Sequence, residues 1–251
     1  MIKKFEVDVH PMNRKMKIHM YLPKGYKDSE ERYPVFYMYD GHNLFYDEDA
    51  TYGTCWGIKD FLDEGFLDMI VVGMECDHYG NNRLKEYCPY SVNSYFAGWI
   101  EGCGDVYMDY VVHELKPYID ANYRTLPERE YTGIGGSSMG GLMSLYSVLK
   151  YNDIFSKAAC LSPSALICQN ELRNEFKSKA LDPNTRIYMD MGSEELGSRE
   201  FMMNAMDMLL HFNHELTEKG VSCYPRLFVG GNHNEASWRK SLPVFMNYLW
   251  K

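Results

Sequence analysis

Short apolar runs recur along this chain, and each is separated from the next by a stretch able to form a helix. They lie at residues 69–73, 131–134, 158–161, 186–189 and 223–229. Alternation of this kind predicts a mostly parallel sheet covered by helices on both faces, because parallel neighbours need a long crossover and helices supply it. The first forty residues read instead as successive strands, at 3–9, at 15–22 after the turn Pro11-Met12-Asn13, and at 34–39. Helices are expected at 58–63, 106–123, 139–150, 172–179, 199–218 and 236–251. In the second of these, Val106, Tyr110, Val111, Leu115 and Tyr118 keep amphipathic spacing.

No repeat, low-complexity tract or Gly/Ser/Pro linker interrupts the pattern, so residues 1–251 are expected to form one domain. The one long irregular stretch, 75–104, is rich in Tyr, Asn and Gly. Long loops in compact domains usually serve function or move.

Composition excludes several functions. The 251 residues carry a formal net charge of −9 without a basic stripe, which gives nucleic acid or an anionic membrane no electrostatic foothold. The first residues alternate apolar and charged side chains and lack the apolar core of a signal peptide. The longest apolar runs, such as 69–72, fall far short of the roughly 20 residues that cross a bilayer. Seven cysteines without a C-x-x-C pair suggest neither a disulfide framework nor a zinc knuckle. Mostly buried thiols in a reducing cytoplasm are the expectation.

The strongest local signal is Gly136-Ser137-Ser138-Met139-Gly140, followed by Gly141. In a G-x-S-x-G elbow a strand enters a helix through a turn so tight that glycines must flank the serine. The hydroxyl is then presented at the carboxyl edge of the sheet and on a helix N-terminus. Here the motif follows the run 131–134 and precedes a helix whose Leu142, Leu145, Tyr146 and Leu149 keep helical spacing. No G-K-[ST] follows, which disfavours a phosphate-binding loop. Ser138, with glycine two residues away on either side, is therefore the expected nucleophile, and Ser137 is not.

An elbow serine needs a base, which in this chain order comes last. Of the histidines after the elbow, His211 and His214 fall inside an amphipathic helix and belong on its surface. His233 follows a strand and the glycine-bearing loop Gly230-Gly231-Asn232, from which it can reach back to the serine. The acid should follow the run 186–189, where Asp190, Glu194 and Glu195 all stand. One oxyanion donor is expected from the Met139 N–H. The other should come from the loop Asp40-Gly41-His42-Asn43, through the N–H of His42 or Asn43. Aromatic residues at Tyr79, Tyr87, Tyr90, Tyr95, Phe96 and Trp99, with Trp56 and Trp238, are expected to wall the entrance, and Trp56, Tyr87 and Trp238 are the candidate pocket residues. Nothing here calls for a metal or an organic cofactor; H-E-x-x-H is absent.

Together, Tyr39-Asp40-Gly41-His42-Asn43-Leu44-Phe45, Arg83 with Glu86-Tyr87-Cys88-Pro89, the elbow, Leu161-Ser162-Pro163-Ser164 and His233-Asn234-Glu235-Ala236-Ser237-Trp238 resemble the Putative esterase family. That family includes esterase D, feruloyl and acetylxylan esterases and enterochelin-type esterases, and the likeness runs from about Tyr33 to the end. The resemblance implies the α/β-hydrolase fold and a cofactor-free Ser-His-acid triad that hydrolyses a small-molecule carboxylic ester. It matches Ser138 to the nucleophile and His233 to the base. It places the acid three residues after Gly192, at Glu195, where many relatives have Asp. Acyltransferases and thioesterases share such a triad, and a catalytically silent binding scaffold could share the fold.

Overall fold

The computed structural model describes residues 1–95, 97–195 and 197–251. Its strands are β1 (Ile2–Val9), β2 (Arg14–Tyr21), β3 (Val35–Tyr39), β4 (Ile70–Met74), the short hairpin β5 (Val92–Ser94) and β6 (Gly98–Ile100), then β7 (Thr132–Ser137), β8 (Lys157–Leu161), β9 (Arg186–Gly192) and β10 (Ser222–Phe228). Apart from the hairpin they form one sheet in the order β1-β2-β4-β3-β7-β8-β9-β10. Pairing is antiparallel where β2 meets β1 and β4, and parallel from β4 to β10. The helices are α1 (Ile58–Asp63), α2 (Asn82–Glu86), α3 (Gly104–Tyr110), α4 (Lys116–Asn122), α5 (Met139–Lys150), α6 (Gln169–Lys177), α7 (Arg199–Glu218) and α8 (Glu235–Trp250).

Strand alternation explains why the central runs are apolar throughout. Val35, Tyr37 and Tyr39 of β3 join the core formed with α3 to α7, while Phe36 and Met38 face the core beneath α1 and α8. With both faces covered, no position on such a strand is left for a polar residue. Full burial of a side chain such as Phe36 or Phe245 contributes roughly 1.5–3 kcal/mol.

The helix expected over 106–123 starts two residues earlier and ends one earlier. It runs α3 to α4 through a π turn, Val111–Leu115. Pro117, which lacks an N–H and cannot complete an ordinary i to i−4 bond, sits just beyond that turn. The stretch 75–104 is less irregular than expected, since α2 and the β5–β6 hairpin lie within it.

Gly41 packs on the backbone of Gly73, bringing the loop after β3 onto β4. A Cβ on Gly41 would stand 2.4 Å from the Gly73 carbonyl carbon and oxygen, which cannot rotate away. Gly41→Ala is accordingly expected to destabilise the fold by about 3 kcal/mol. In a protein of this size that lowers the thermal midpoint by roughly 6–12 °C. A calorimetric scan showing no shift would refute the close contact.

Candidate active site

Every candidate catalytic group sits just beyond the carboxyl end of a parallel strand, the edge at which open α/β sheets bind ligands. Asp40 follows β3, Ser138 follows β7, Ser162 follows β8, Glu195 follows β9 and His233 follows β10. Among the described residues four non-glycine residues have positive φ, and three of them are Asp40 (55°), Ser138 (58°) and Ser162 (44°). Backbone held this way costs about 1–3 kcal/mol per residue and persists only where the surroundings enforce it.

For Ser138 those surroundings are visible. Its N–H donates to Leu161 O at 2.9 Å, and its carbonyl accepts from the N–H groups of Leu142 and Ser164, both at 3.0 Å. A Cβ on Gly140 would press to 2.9 Å on the Tyr39 Cβ, and one on Gly141 to 2.7 Å on Leu161 O. The glycines after the serine therefore allow α5 to start against β3 and β8. The Ser138 Oγ lies 3.3 Å from the Ser164 Oγ.

His233 immediately precedes Asn234, the N-cap of α8, whose side chain accepts from the Ser237 N–H at 3.0 Å. The His233 Nδ1 is 3.0 Å from Glu195 Oε2, and its ring meets Trp238 edge to face at 5.2 Å. The Glu195 side chain is only 2% exposed. Its other oxygen accepts from the Ser162 hydroxyl and the Gly192 N–H, both at 2.6 Å. The Trp238 indole N–H in turn donates to Ser162 Oγ at 2.8 Å. Ser162 and Trp238 thus hold Glu195 from behind. Sequence reasoning had placed Ser162 only within a resembling motif and gave it no task.

The other two carboxylates point elsewhere. Glu194 is exposed and accepts from the Ser193 hydroxyl at 2.9 Å. Asp190 is buried beneath α8 and accepts from the Ser241 hydroxyl at 2.7 Å and the Tyr188 hydroxyl at 2.9 Å. His211 and His214 lie exposed on α7.

Burial pushes the Asp190 carboxyl up to about 6, with Glu195 adding repulsion, against the opposing pull of its Ser241 and Tyr188 hydrogen bonds. The folded value lies above that of an unfolded chain, so the native state holds this proton more tightly. Stability is then lost as pH rises from about 4 to about 6. Asp190→Asn is expected to remove that loss, roughly 3 kcal/mol in size. Urea midpoints between pH 4 and 7 measure it; equal slopes in both proteins would contradict the origin.

Facing the elbow, the loop after β3 is clamped by Arg83, whose Nε and Nη2 each donate to Asp40 at 2.7 Å. Burial opposes ionisation of Asp40, but the charge and hydrogen bonds of Arg83 win and hold its carboxyl below the usual range. The Asn43 N–H is spent on Asp40 O at 2.9 Å. Asn43 is therefore corrected as an oxyanion candidate, because the turn consumes its amide, and His42 is the remaining amide of the pair. Asn43 instead uses its side chain, joining the Thr51 N–H (2.9 Å) to Glu235 (3.2 Å).

A cavity of about 330 Å³ brings together Ser138, His233, His42, His78, Arg83 and Trp238. A second, of about 310 Å³, is also lined by His233, together with Glu195, and has apolar walls from Pro163, Leu166, Ile167 and Met191. A larger one, about 610 Å³, lies away from these groups between α6 and α7 among charged side chains.

Of the three expected pocket residues only Trp238 lines a cavity with Ser138. Trp56 is packed between Trp238 and Phe245 in the core, at 5.9 and 6.3 Å. Tyr87 is fully buried against Tyr39 and Tyr107, and its hydroxyl accepts from the Asp40 N–H at 3.3 Å. Both were misplaced because a large aromatic gains more from complete burial than from half-exposure at a rim. The entrance wall is corrected likewise. Stretch 75–104 contributes polar His78 and Arg83 to the 330 Å³ cavity, whereas Tyr79, Tyr95 and Trp99 project into solvent and Tyr90 packs on Tyr146. Phe96 lies outside the described residues.

With this geometry in place, the relatives are informative. The sequence profile of the family described as "Putative esterase" matches residues 10–249. The chain belongs to that esterase family. As a class it is a carboxylic ester hydrolase. YbbA of Bacillus subtilis (strain 168), described as an uncharacterized protein, is 27% identical over 207 residues, which is 81% of this esterase and 78% of YbbA. Esterase Rv1288 of Mycobacterium tuberculosis (strain ATCC 25618 / H37Rv) is 29% identical over 161 residues, 63% of this chain but 30% of Rv1288. Among solved structures, an IroE-like serine hydrolase from Shewanella oneidensis superposes with a TM-score of 0.79 at 20% identity, covering 98% of this esterase and 79% of that chain. The enterochelin esterase of Shigella flexneri gives 0.75 at 18% identity, over 100% of this esterase and 58% of its own length. The expected α/β-hydrolase fold is thereby established for this esterase.

Proposed function

We propose that this esterase works through an acyl-enzyme on Ser138, with His233 as general base and Glu195 as its orienting acid. The observation that carries the reading is the 3.0 Å contact of His233 Nδ1 with a nearly buried Glu195, at a cavity His233 shares with Ser138. With Nδ1–H given to Glu195, Nε2 keeps its lone pair for the serine proton. Substrate draws the Ser138 hydroxyl from Ser164 to His233, since such bonds tighten in the reacting complex. The Ser138 oxygen attacks the ester carbonyl, and the N–H groups of Met139 and His42 stabilise the oxyanion. His233 returns its proton to the departing alcohol, then activates the water that releases the acid.

The two cavities beside His233 support a substrate with unlike halves. An uncharged, apolar acyl group suits the Leu166, Ile167 and Met191 cleft. A small or sugar-like hydroxylated alcohol suits the side lined by His42, Thr51 and Arg83. Residues 1–251 serve as one catalytic unit on this reading. No described helix is long and apolar enough to cross a membrane. All seven thiols are free and five are buried, which favours a reducing compartment such as the cytoplasm.

A fluorophosphonate probe tests the nucleophile. It is expected to modify one residue, Ser138, and to abolish p-nitrophenyl ester turnover in proportion. Modification elsewhere, or unimpaired turnover after complete labelling, would overturn the reading.

A further inference from the structure

Beside the ester cavity, donors from two neighbouring loops converge. His42 follows β3, while Cys76 and His78 follow β4, the strand paired with it. One ligating atom from each lies within 4.8 Å of the other two, and Cys76 Sγ is 3.8 Å from His78 Nδ1. His42 is 7% exposed, and its Nδ1 is buried without a hydrogen-bond partner among the described residues. A buried polar atom left this way carries a desolvation cost that calls for a partner.

The opposite nitrogens of both rings are already held. His42 Nε2 is 2.9 Å from the Thr51 hydroxyl, and His78 Nε2 is 3.2 Å from Glu75 Oε1. Metal-ligating imidazoles are typically fixed in this fashion, the second nitrogen on a hydroxyl or carboxylate and the first free to coordinate.

We propose that His42 Nδ1, Cys76 Sγ and His78 Nδ1 form a binding site for a divalent transition-metal ion of the zinc type, at the edge of the ester cavity. Two imidazoles and a thiolate select zinc, cobalt or copper over magnesium and calcium. Tetrahedral bonds of about 2.0–2.1 Å to nitrogen and about 2.3 Å to sulfur put neighbouring donors about 3.3–3.6 Å apart. Cys76 and His78 already stand near that spacing at 3.8 Å, and the wider separations, within 4.8 Å, must draw in by up to about 1.5 Å, a movement that His78, exposed on its loop, can supply. Binding displaces the Cys76 thiol proton to solvent as the sulfur–metal bond forms, and the fourth position faces the cavity that His42 and His78 line. If the proposed ester mechanism is also right, an ion there obstructs the alcohol side and inhibits hydrolysis.

Chelator-treated full-length protein is titrated with Co²⁺ and then Zn²⁺. One equivalent of Co²⁺ is expected to produce a sulfur-to-cobalt charge-transfer band that Zn²⁺ removes and Mg²⁺ does not. Cys76→Ala should lack the band. His78→Ala, at a half-exposed side chain, should bind at least about 100-fold more weakly, since loss of an outer partner alone costs about 10–100-fold. No band in the wild type, or a band and affinity unchanged in folded His78→Ala, would overturn the site. The readout needs no ester, so failure of the hydrolytic mechanism would leave it intact.

Discussion

Ser138→Ala is expected to lower kcat for ester hydrolysis by about a million-fold while leaving the thermal midpoint close to that of the wild type. The size follows from the cooperative action of a nucleophile and its base, whose separate removal costs nearly as much as losing the whole set. The fold should survive because the elbow is held by backbone contacts. Ser138 donates its N–H to Leu161 and accepts from Leu142 and Ser164, and none of these bonds uses the hydroxyl. The side chain contributes only its 3.3 Å approach to Ser164. Alanine does face the same positive φ as serine, so any stability change should be small in either direction. Residual turnover above one per cent of wild type in a sample free of contaminating esterase would rule out Ser138 as the nucleophile.

Glu195→Gln should cost about ten-thousand-fold in kcat, with KM changed far less. Glutamine can still meet His233, but it carries no charge to stabilise the imidazolium. Its amide also presents a donor where the ring requires an acceptor, turning His233 toward the wrong tautomer. The neighbours sharpen the test. Glu195 Oε1 accepts two bonds, from Ser162 and Gly192, so the amide nitrogen cannot occupy that side without opposing another donor. It is therefore forced toward His233. Asp190→Asn and Glu194→Gln act as controls, since one carboxylate lies beneath α8 and the other in solvent. Both should stay within a few-fold of wild-type turnover. Near-normal kcat in Glu195→Gln, paired with collapse in either control, would transfer the acid role.

Both predictions show where a single chain is legible and where it is not. The α1, α5 and α7 boundaries match the sequence pattern to the residue, the other expected strands and helices shift at their ends, and α2, β5 and β6 lie in a stretch expected to be irregular. Apolar spacing acts within a few neighbours, so it survives without knowledge of the rest of the fold. Strand ends are harder: β9 continues through Gly192 because β10 pairs with it that far, a fact absent from the residues themselves. The pocket aromatics failed for a related reason. Whether Trp56 or Tyr87 lines a cavity or fills a core depends on what packs opposite, and composition is silent on that.

What the sequence determined by itself was local chemistry: the β/α alternation, the serine held between glycines, and a histidine in a loop ahead of a capped helix. Each follows from backbone geometry that a handful of adjacent residues imposes. Tertiary structure shows which of the three carboxylates meets His233: it is Glu195, the one to which the family resemblance pointed, with Ser162 and Trp238 behind it. It also decided that the Asn43 amide is consumed in its own turn, and that His42 lies beside Cys76 and His78. Those outcomes depend on β3 and β4 lying side by side in parallel register, with Gly41 pressed on Gly73. Contacts between segments far apart in the chain are set by how whole elements pack, a property no local pattern encodes.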